Sequence, residues 1–352
     1  MKKINVGIIY GGKSTEHEVS MRSAKSVFEA LNKEKYNVSL INITKAGEWL
    51  LANDNGEVIP LNNANSKKIS VVPSNGLMAD GEIIKIDAVL PILHGTAGED
   101  GSIQGLLELT EIPYAGCNVR SSAVCMDKDM TKRLLELKGI DVAPSIVLSY
   151  YEKDGQTYEQ AKEKLGVPMF IKPVNQGSSV GVSKVSDEAS FYVALDSAFS
   201  FDTKVMIESG IEGREIEVSV LGNEELFVSV PGEIVSQPDF YSYSSKYLDD
   251  SGALLNIPAK LEEETTKKIQ QVAHDTFKVL DCEGMARVDV FLTTEGKIIV
   301  NEVNTLPGFT SISMYPKLLE ASGIPYNETL DRLIELSLER YERSERLKTD
   351  IF

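Results

Sequence analysis

The order strand, helix, strand over the first 44 residues constrains this chain more than any other feature. "INVGIIY" (4–10) is a nearly unbroken apolar run and reads as a buried strand, with "YNVSLINIT" (36–44) as the next. Between them, "SMRSAKSVFEALN" (20–32) sets Met21, Ala24, Val27, Phe28 and Leu31 at helical spacing. A helix joining two strands predicts a parallel, right-handed unit covered on its faces. "IDAVLPILHG" (86–95) continues the sheet and runs into a loop rich in glycine and polar groups, "HGTAGEDGSIQG". In open parallel sheets ligands gather beyond the carboxyl ends of the strands, where both this loop and "GGKSTE" are expected. The first domain is expected to end near residue 125.

Beyond it the texture changes. "DKDMTKRLLELK" (127–138) predicts a helix closed by Gly139. "DVAPSIVLS", "PMFIKP", "KVMIES" and "EIEVSVLG" are short strands, with a helix near 158–165 among them, and suit a smaller mixed sheet. From about residue 214 come further strands ("ELFVSVPG", "ARVDVFLT", "KIIVNEVN"), a long helix over 261–280 and a terminal helix over 326–344. The 352 residues thus divide into expected units 1–125, 126–213 and 214–352. "SQPDFYSYSSKYLDDSGALLN" (236–256) has little apolar periodicity, and a stretch that long without regular structure inside a compact domain reads as a lid.

The formal charge of -17 excludes a general nucleic-acid or anionic-membrane surface, because phosphates would be repelled over most of the protein. A phosphate ligand must therefore meet a local cluster of lysines, arginines, backbone amides or metal. No segment reaches the roughly 18 apolar residues of a membrane span. The apolar run at the N-terminus stops at Gly11-Gly12, too soon for a signal peptide. Cys117, Cys125 and Cys282 lack metal-type spacing and read as buried small hydrophobes in a reducing cytoplasm.

Two clusters carry chemistry. On a strand, residues two apart face the same way, so Glu302 and Asn304 of "NEVN" share a face, as do Arg287 and Asp289 of "ARVDVFL". If the two strands pair as a hairpin across "TTEGK", Asp289 joins Glu302 and Asn304 around one point. Three oxygen ligands without histidine or cysteine suit magnesium. In "PMFIKPVNQGSSVG", Lys172 ends a strand, and Gly177, Ser178, Ser179 and Gly181 permit close backbone approach to phosphate oxygens. Lys128 and Lys246 lie in segments that can face this loop, and together the clusters describe a magnesium-nucleotide site. Residues 7–14, "GIIYGGKS", also satisfy the P-loop pattern through Gly12, Lys13 and Ser14. Against a P-loop nucleotide switch, Ile8, Ile9 and Tyr10 look like the interior of a strand rather than a phosphate-wrapping loop.

"GGKSTEHEVS", "LHGTAGEDGSIQG", "MDK", "FIKPVNQGSSVGVSK", "FYSYSSKY", "ARVDVF" and "NEVNTLPGFTSISMYP", in that order and spacing, resemble the D-alanine–D-alanine ligases of the ATP-grasp superfamily. The likeness spans about residues 4–340. It implies an α/β ATP-grasp fold: an N-terminal Rossmann-like parallel-sheet domain and two α+β nucleotide-binding domains, with ATP held between the latter. It also implies ATP with two Mg2+ (or Mn2+) ions, ligation of two D-alanines for peptidoglycan in a bacterial cytoplasm, and a homodimer. By the same resemblance, Asp289, Glu302 and Asn304 hold metal, and Lys128, Lys172, Ser179 and Lys246 meet phosphates. Glu208, Ser209, Ile211 and Glu215 hold adenine and ribose. Glu16 binds the first substrate's ammonium group, Ser178 and Tyr247 tie the lid to that glutamate, and His94 lies in the first subsite. Arg287 and the Gly308 amide form the oxyanion site, and Ser313 contacts the second substrate's carboxylate. Tyr247 favours the dipeptide over a D-lactate ester, whereas Met314 could reshape the second subsite toward D-lactate or D-serine. An ATP-binding module without catalysis is a further alternative, opposed by the intact set of site residues.

Overall fold

The computed structural model describes residues 2–52, 66–236, 253–310, 312–348 and 351. The chain opens with β1 (Ile4–Gly11), α1 (His17–Ala30) and β2 (Tyr36–Ile43). Short strands follow, β3 (Trp49–Leu51), β4 (Lys67–Val72), β5 (Gly76–Ala79) and β6 (Glu82–Ile83), and then β7 (Ala88–Ile92). Among the described residues they form one sheet in the order β6-β5-β4-β3-β2-β1-β7. β1 lies between parallel neighbours, with Ile8 opposite Leu40 and Leu90. Its alternate residues serve two cores: Ile9 packs with Ile41, Val89, Ile103 and Leu107, while Ile8 and Tyr10 pack with Ala24, Val27 and Leu333. Burial on both faces is why the strand reads as continuous apolar sequence, each large side chain contributing about 1.5–3 kcal/mol. The sheet is mixed rather than purely parallel, because β3 to β6 add to its edge in antiparallel fashion. All of β4 and β6 stay at least partly exposed, so these strands lack the apolar runs that mark the parallel centre.

α2 (Ser102–Leu109), α3 (Val119–Met126) and α4 (Lys128–Leu137) lead to the second sheet. The Asp127 carboxylate caps α4 by accepting the amides of Asp129 and Met130, both at 3.0 Å. Gly139, with φ of +74°, follows the helix in the left-handed region. β8 (Ser145–Ser149), α5 (Tyr158–Leu165), β9 (Met169–Pro173), β10 (Ser183–Val185), α6 (Glu188–Phe199) and β11 (Lys204–Ser209) come next. Their sheet, β10-β9-β11-β8, is antiparallel throughout rather than mixed, with α5 and α6 covering one face.

The third sheet uses β12 (Gly213–Gly222), β13 (Phe227–Val228), β14 (Gly232–Ser236) and β15 (Ala253–Asn256). After α7 (Glu263–Val279) it is completed by β16 (Gly284–Thr293) and β17 (Ile298–Asn304). "EIEVSVLG" therefore belongs here and not to the second sheet: β12 pairs along its whole length with β16. Ile269, Ala273 and Phe277 of α7 cover the inner face. α8 (Met314–Ala321) and α9 (Tyr326–Glu345) return to the first sheet, where Leu330, Leu333 and Ile334 share a core with Val6, Ile8 and Leu90. Arg340 of α9 fastens this return by donating to the carbonyls of Tyr114 and Gly116. The three cysteines are buried and unpaired, as their spacing suggested. No helix among the described residues is long and apolar enough to cross a membrane.

Candidate active site

β16 and β17 pair across the expected hairpin, and with β12 they set charged residues in two rows. Glu217, Asp289 and Glu302 stand opposite one another, and Ser219, Arg287 and Asn304 form the adjacent row. The intervening Val218, Val288 and Val303 point into the core. Val300 and Val303 are both in that core although three residues apart. A bulge at Asn301 absorbs the extra residue and leaves Glu302 and Asn304 on the charged face. Arg287 grips Asp289 with two hydrogen bonds of 2.7 Å and also reaches Glu217 at 3.0 Å. Asn304 donates to the same Asp289 carboxylate at 3.0 Å.

Lys128, the first residue of α4, lies 4.0 Å from Glu302 and donates to the Gln176 carbonyl at 2.7 Å. Burial pulls its ammonium below the ordinary lysine range, with Glu302 opposing. Lys172 on β9 donates at 2.7 Å to Glu208 on β11, whose other oxygen rests against Lys132. In the loop after β9, Ser178 and Ser179 have φ of 50° and 58°, strained values that fold the chain back sharply. Ser178 donates to Glu16, at the head of α1, and so joins the end of the first sheet to the second. Gly95 crowds that carboxylate: a Cβ there would stand 2.7 Å from Glu16 Oε2 and 2.9 Å from Ser14 Oγ.

His94 is 5% exposed and both ring nitrogens are engaged, Nδ1 with the Leu306 carbonyl at 3.1 Å and Nε2 with Ser23 Oγ at 3.2 Å. The Leu306 carbonyl can only accept, so the proton sits on Nδ1 and Ser23 donates to Nε2, its oxygen accepting the Phe309 N–H at 3.4 Å. Burial pushes the imidazole down to about 4, and it is neutral near pH 7. The histidine thus ties the loop after β7 to the segment 305–309. In that segment a Cβ at Gly308 would lie 2.8 Å from Ser313 Oγ, which accepts the Thr310 amide at 2.9 Å. Met314 is buried against Gly232 of β14.

Ser209 donates to the Leu165 carbonyl at 2.9 Å, Ile211 and Glu215 are half-buried, and Ser179 is exposed. Lys246 and Tyr247 lie outside the described residues, as does most of the expected lid. Ile8, Ile9 and Tyr10 are interior to β1 and fully buried, so the "GIIYGGKS" match cannot wrap a phosphate.

Three residues passed over in the sequence belong to this constellation. Glu99 accepts the Gly95 amide at 3.0 Å, and burial together with Glu16 raises its carboxyl well above the usual range. Its signal was an acid in the loop beyond β7. Glu217 and Lys132 gave none, since a lone acid in a strand and a lone lysine in a helix are ordinary. A small cavity of about 20 Å³ lies where Glu99, Lys128, Gly177, Glu302 and Asn304 meet. A roomier one of about 350 Å³, between Phe227 and Arg332, Glu335 and Glu339 of α9, touches none of these side chains. The smaller one marks the chemistry, because cations and carboxylates converge there. Among the described residues no group of three His, Cys, Asp or Glu side chains is arranged to hold a metal. The Asp289, Glu302 and Asn304 set supplies two carboxylates and an amide, which suits a hard cation whose other positions go to phosphate and water.

Two family models match the chain: "D-ala D-ala ligase N-terminus" over residues 5–117 and "D-ala D-ala ligase C-terminus" over residues 134–335. The chain is 50% identical to a D-alanine–D-alanine ligase of Shouchella clausii, covering 100% of this chain and 99% of the relative. It is 46% identical to D-alanine–D-alanine ligase A of Escherichia coli K12, covering 99% and 100%. Among solved structures, the D-alanine-D-alanine ligase of Coxiella burnetii superposes with a TM-score of 0.89 at 39% identity, over 98% of this chain and 97% of that one. The VanG D-Ala:D-Ser ligase of Enterococcus faecalis gives 0.87 at 40%, over 96% and 100%.

Proposed function

Because the chain belongs to the D-alanine–D-alanine ligase family, we propose that it joins two D-alanines with ATP, through an acyl phosphate, to make D-alanyl-D-alanine for peptidoglycan precursors. The observation that carries this reading is the convergence in one cleft of Glu16 with Ser178, Arg287 with Asp289, and Lys128 with Glu302. A carboxylate is a poor electrophile, so phosphorylation of the first D-alanine supplies a leaving group. Lys128 and Lys172, with Ser179 and the lid's Lys246, would hold the phosphates. Glu208, Ser209, Ile211 and Glu215 would hold adenine and ribose.

Asp289, Glu302 and Asn304 fit one or two magnesium or manganese ions: Arg287 and Asn304 already hold the Asp289 side chain on the site face. A bound ion would neutralise phosphate charge there. Glu16, held by Ser178 and the lid's Tyr247, would orient the first D-alanine through its ammonium group, beside His94. When the second amine attacks, charge develops on the acyl oxygen. Arg287 and the Gly308 amide would stabilise it, and Ser313 and Met314 would border the second subsite. Exclusion of water by the expected lid would protect the acyl phosphate from hydrolysis.

The three sheets support a division into units 1–125, 126–213 and 214–352. A cytoplasmic homodimer belongs to the same reading. The likeness to a D-Ala:D-Ser ligase favours D-serine as the second substrate to compare. The test is phosphate release from ATP with D-alanine alone, then with D-serine or D-lactate added, and the product identified by mass. D-Alanyl-D-alanine formed together with phosphate is expected; release indifferent to every D-amino acid would defeat the assignment.

A further inference from the structure

Lys132 follows Lys128 by one turn of α4, with its side chain 5% exposed and its ammonium group against Glu208 Oε1. It also donates to the Ala143 carbonyl at 2.8 Å. Glu208 Oε2 accepts from Lys172 at 2.7 Å. β9 and β11 are antiparallel neighbours with Met206 opposite Lys172, so Lys172 and Glu208 share the sheet face opposite its core. A carboxylate only 7% exposed is therefore bracketed by two cations.

A buried charge stripped of its only partner is strongly destabilising. If Lys172 were the sole partner of Glu208, a phosphate could recruit it only by leaving that carboxylate bare. We infer that Lys132 is a positioning residue that stays on Glu208 and so frees Lys172 to reach a nucleotide phosphate. This rests on the reading in which Lys172 meets phosphate. Burial pushes the Glu208 carboxyl up, but Lys172 and Lys132 outweigh it and hold it below its usual value. The carboxylate is thus ionised in the neutral range, and it opposes the burial that pulls the Lys132 ammonium below the usual lysine range.

The test is equilibrium binding of ATP with magnesium, and of adenosine, to the full chain. Lys132→Met should weaken ATP about tenfold or more, since Lys172 is then retained by Glu208, while adenosine binding stays within about twofold. Lys132→Arg should keep ATP binding within about threefold of the parent, because the counter-charge remains. In a Glu208→Gln background Lys132 has nothing to neutralise. The double variant Lys132→Met/Glu208→Gln should therefore bind ATP as well as Glu208→Gln alone, and better than Lys132→Met alone. That comparison decides the matter even if Lys132→Met does not fold, because the double variant buries no unpaired carboxylate. ATP binding unchanged in Lys132→Met, equal losses for ATP and adenosine, or a further loss in the double variant would each overturn the inference. Lys172→Met binding ATP like the parent would remove the phosphate role of Lys172 itself, a separate failure that takes the inference with it.

Discussion

Arg287 holds Asp289 and Glu217 at once, so it would keep an anionic partner were Asp289 to turn to the proposed cation. Asp289→Asn should lower kcat by about 10²-fold or more, since it removes charge from both the proposed ion site and the Arg287 contact. Lys13→Ala, on an exposed side chain, should leave nucleotide binding intact. Calorimetric titration with ATP and magnesium distinguishes this outcome from a P-loop switch, which requires the reverse. Gly308→Ala brings a methyl group to 2.8 Å from Ser313 Oγ. Its kcat should fall on the order of 10²-fold, the scale of a lost oxyanion donor, with a melting temperature close to the parent's. A large thermal shift with unchanged kcat would contradict a role at the reacting centre. The residues carrying charge were legible where periodicity fixed their side of a strand, as for Glu302 and Asn304. The partners of His94 were not: Leu306 is 212 residues away, and no local pattern encodes that contact.

For α4, the Asp127 cap sets where the helix begins and hence where Lys128 points. Asp127→Ala removes the oxygen that accepts two backbone amides and two contacts of Lys204. It should cost about 1–2 kcal/mol in urea unfolding, with a rise in KM for ATP larger than any change in kcat. Equal ATP affinity in parent and variant would separate the cap from the site. Elements buried on one or both faces, such as β1, β7, α1 and α7, were readable because burial imposes their apolar spacing. β3 to β6 were not: β4 and β6 form an exposed antiparallel edge that needs few apolar residues, and β3 and β5 are too short to show a period. "EIEVSVLG" shows in sequence that it is a strand but not that its partner is β16, because pairing partners are chosen by tertiary contacts that local sequence does not record. The bulge at Asn301 was invisible for the same reason.

Over the whole molecule, His94 couples the first sheet to the segment after β17, and its burial makes stability depend on pH. Its folded value of about 4 lies below the ordinary 6.5. Between those values the unfolded chain takes up a proton that the native state refuses, so acidification through this window destabilises the fold by up to roughly 3 kcal/mol. Above the upper value the effect is absent. Urea midpoints should therefore fall from pH 7 to pH 4.5, and less steeply in His94→Gln; identical slopes would clear His94 of the effect.

α9 shares its core with β1, β7 and α1, so the face of β1 that α1 covers in part is closed only by a helix far along the chain. A fragment ending near residue 125 would bear a bare apolar surface where Leu330, Leu333 and Ile334 belong. On the ribosome that surface would stay open until α9 has emerged, and there a chaperone would find its grip.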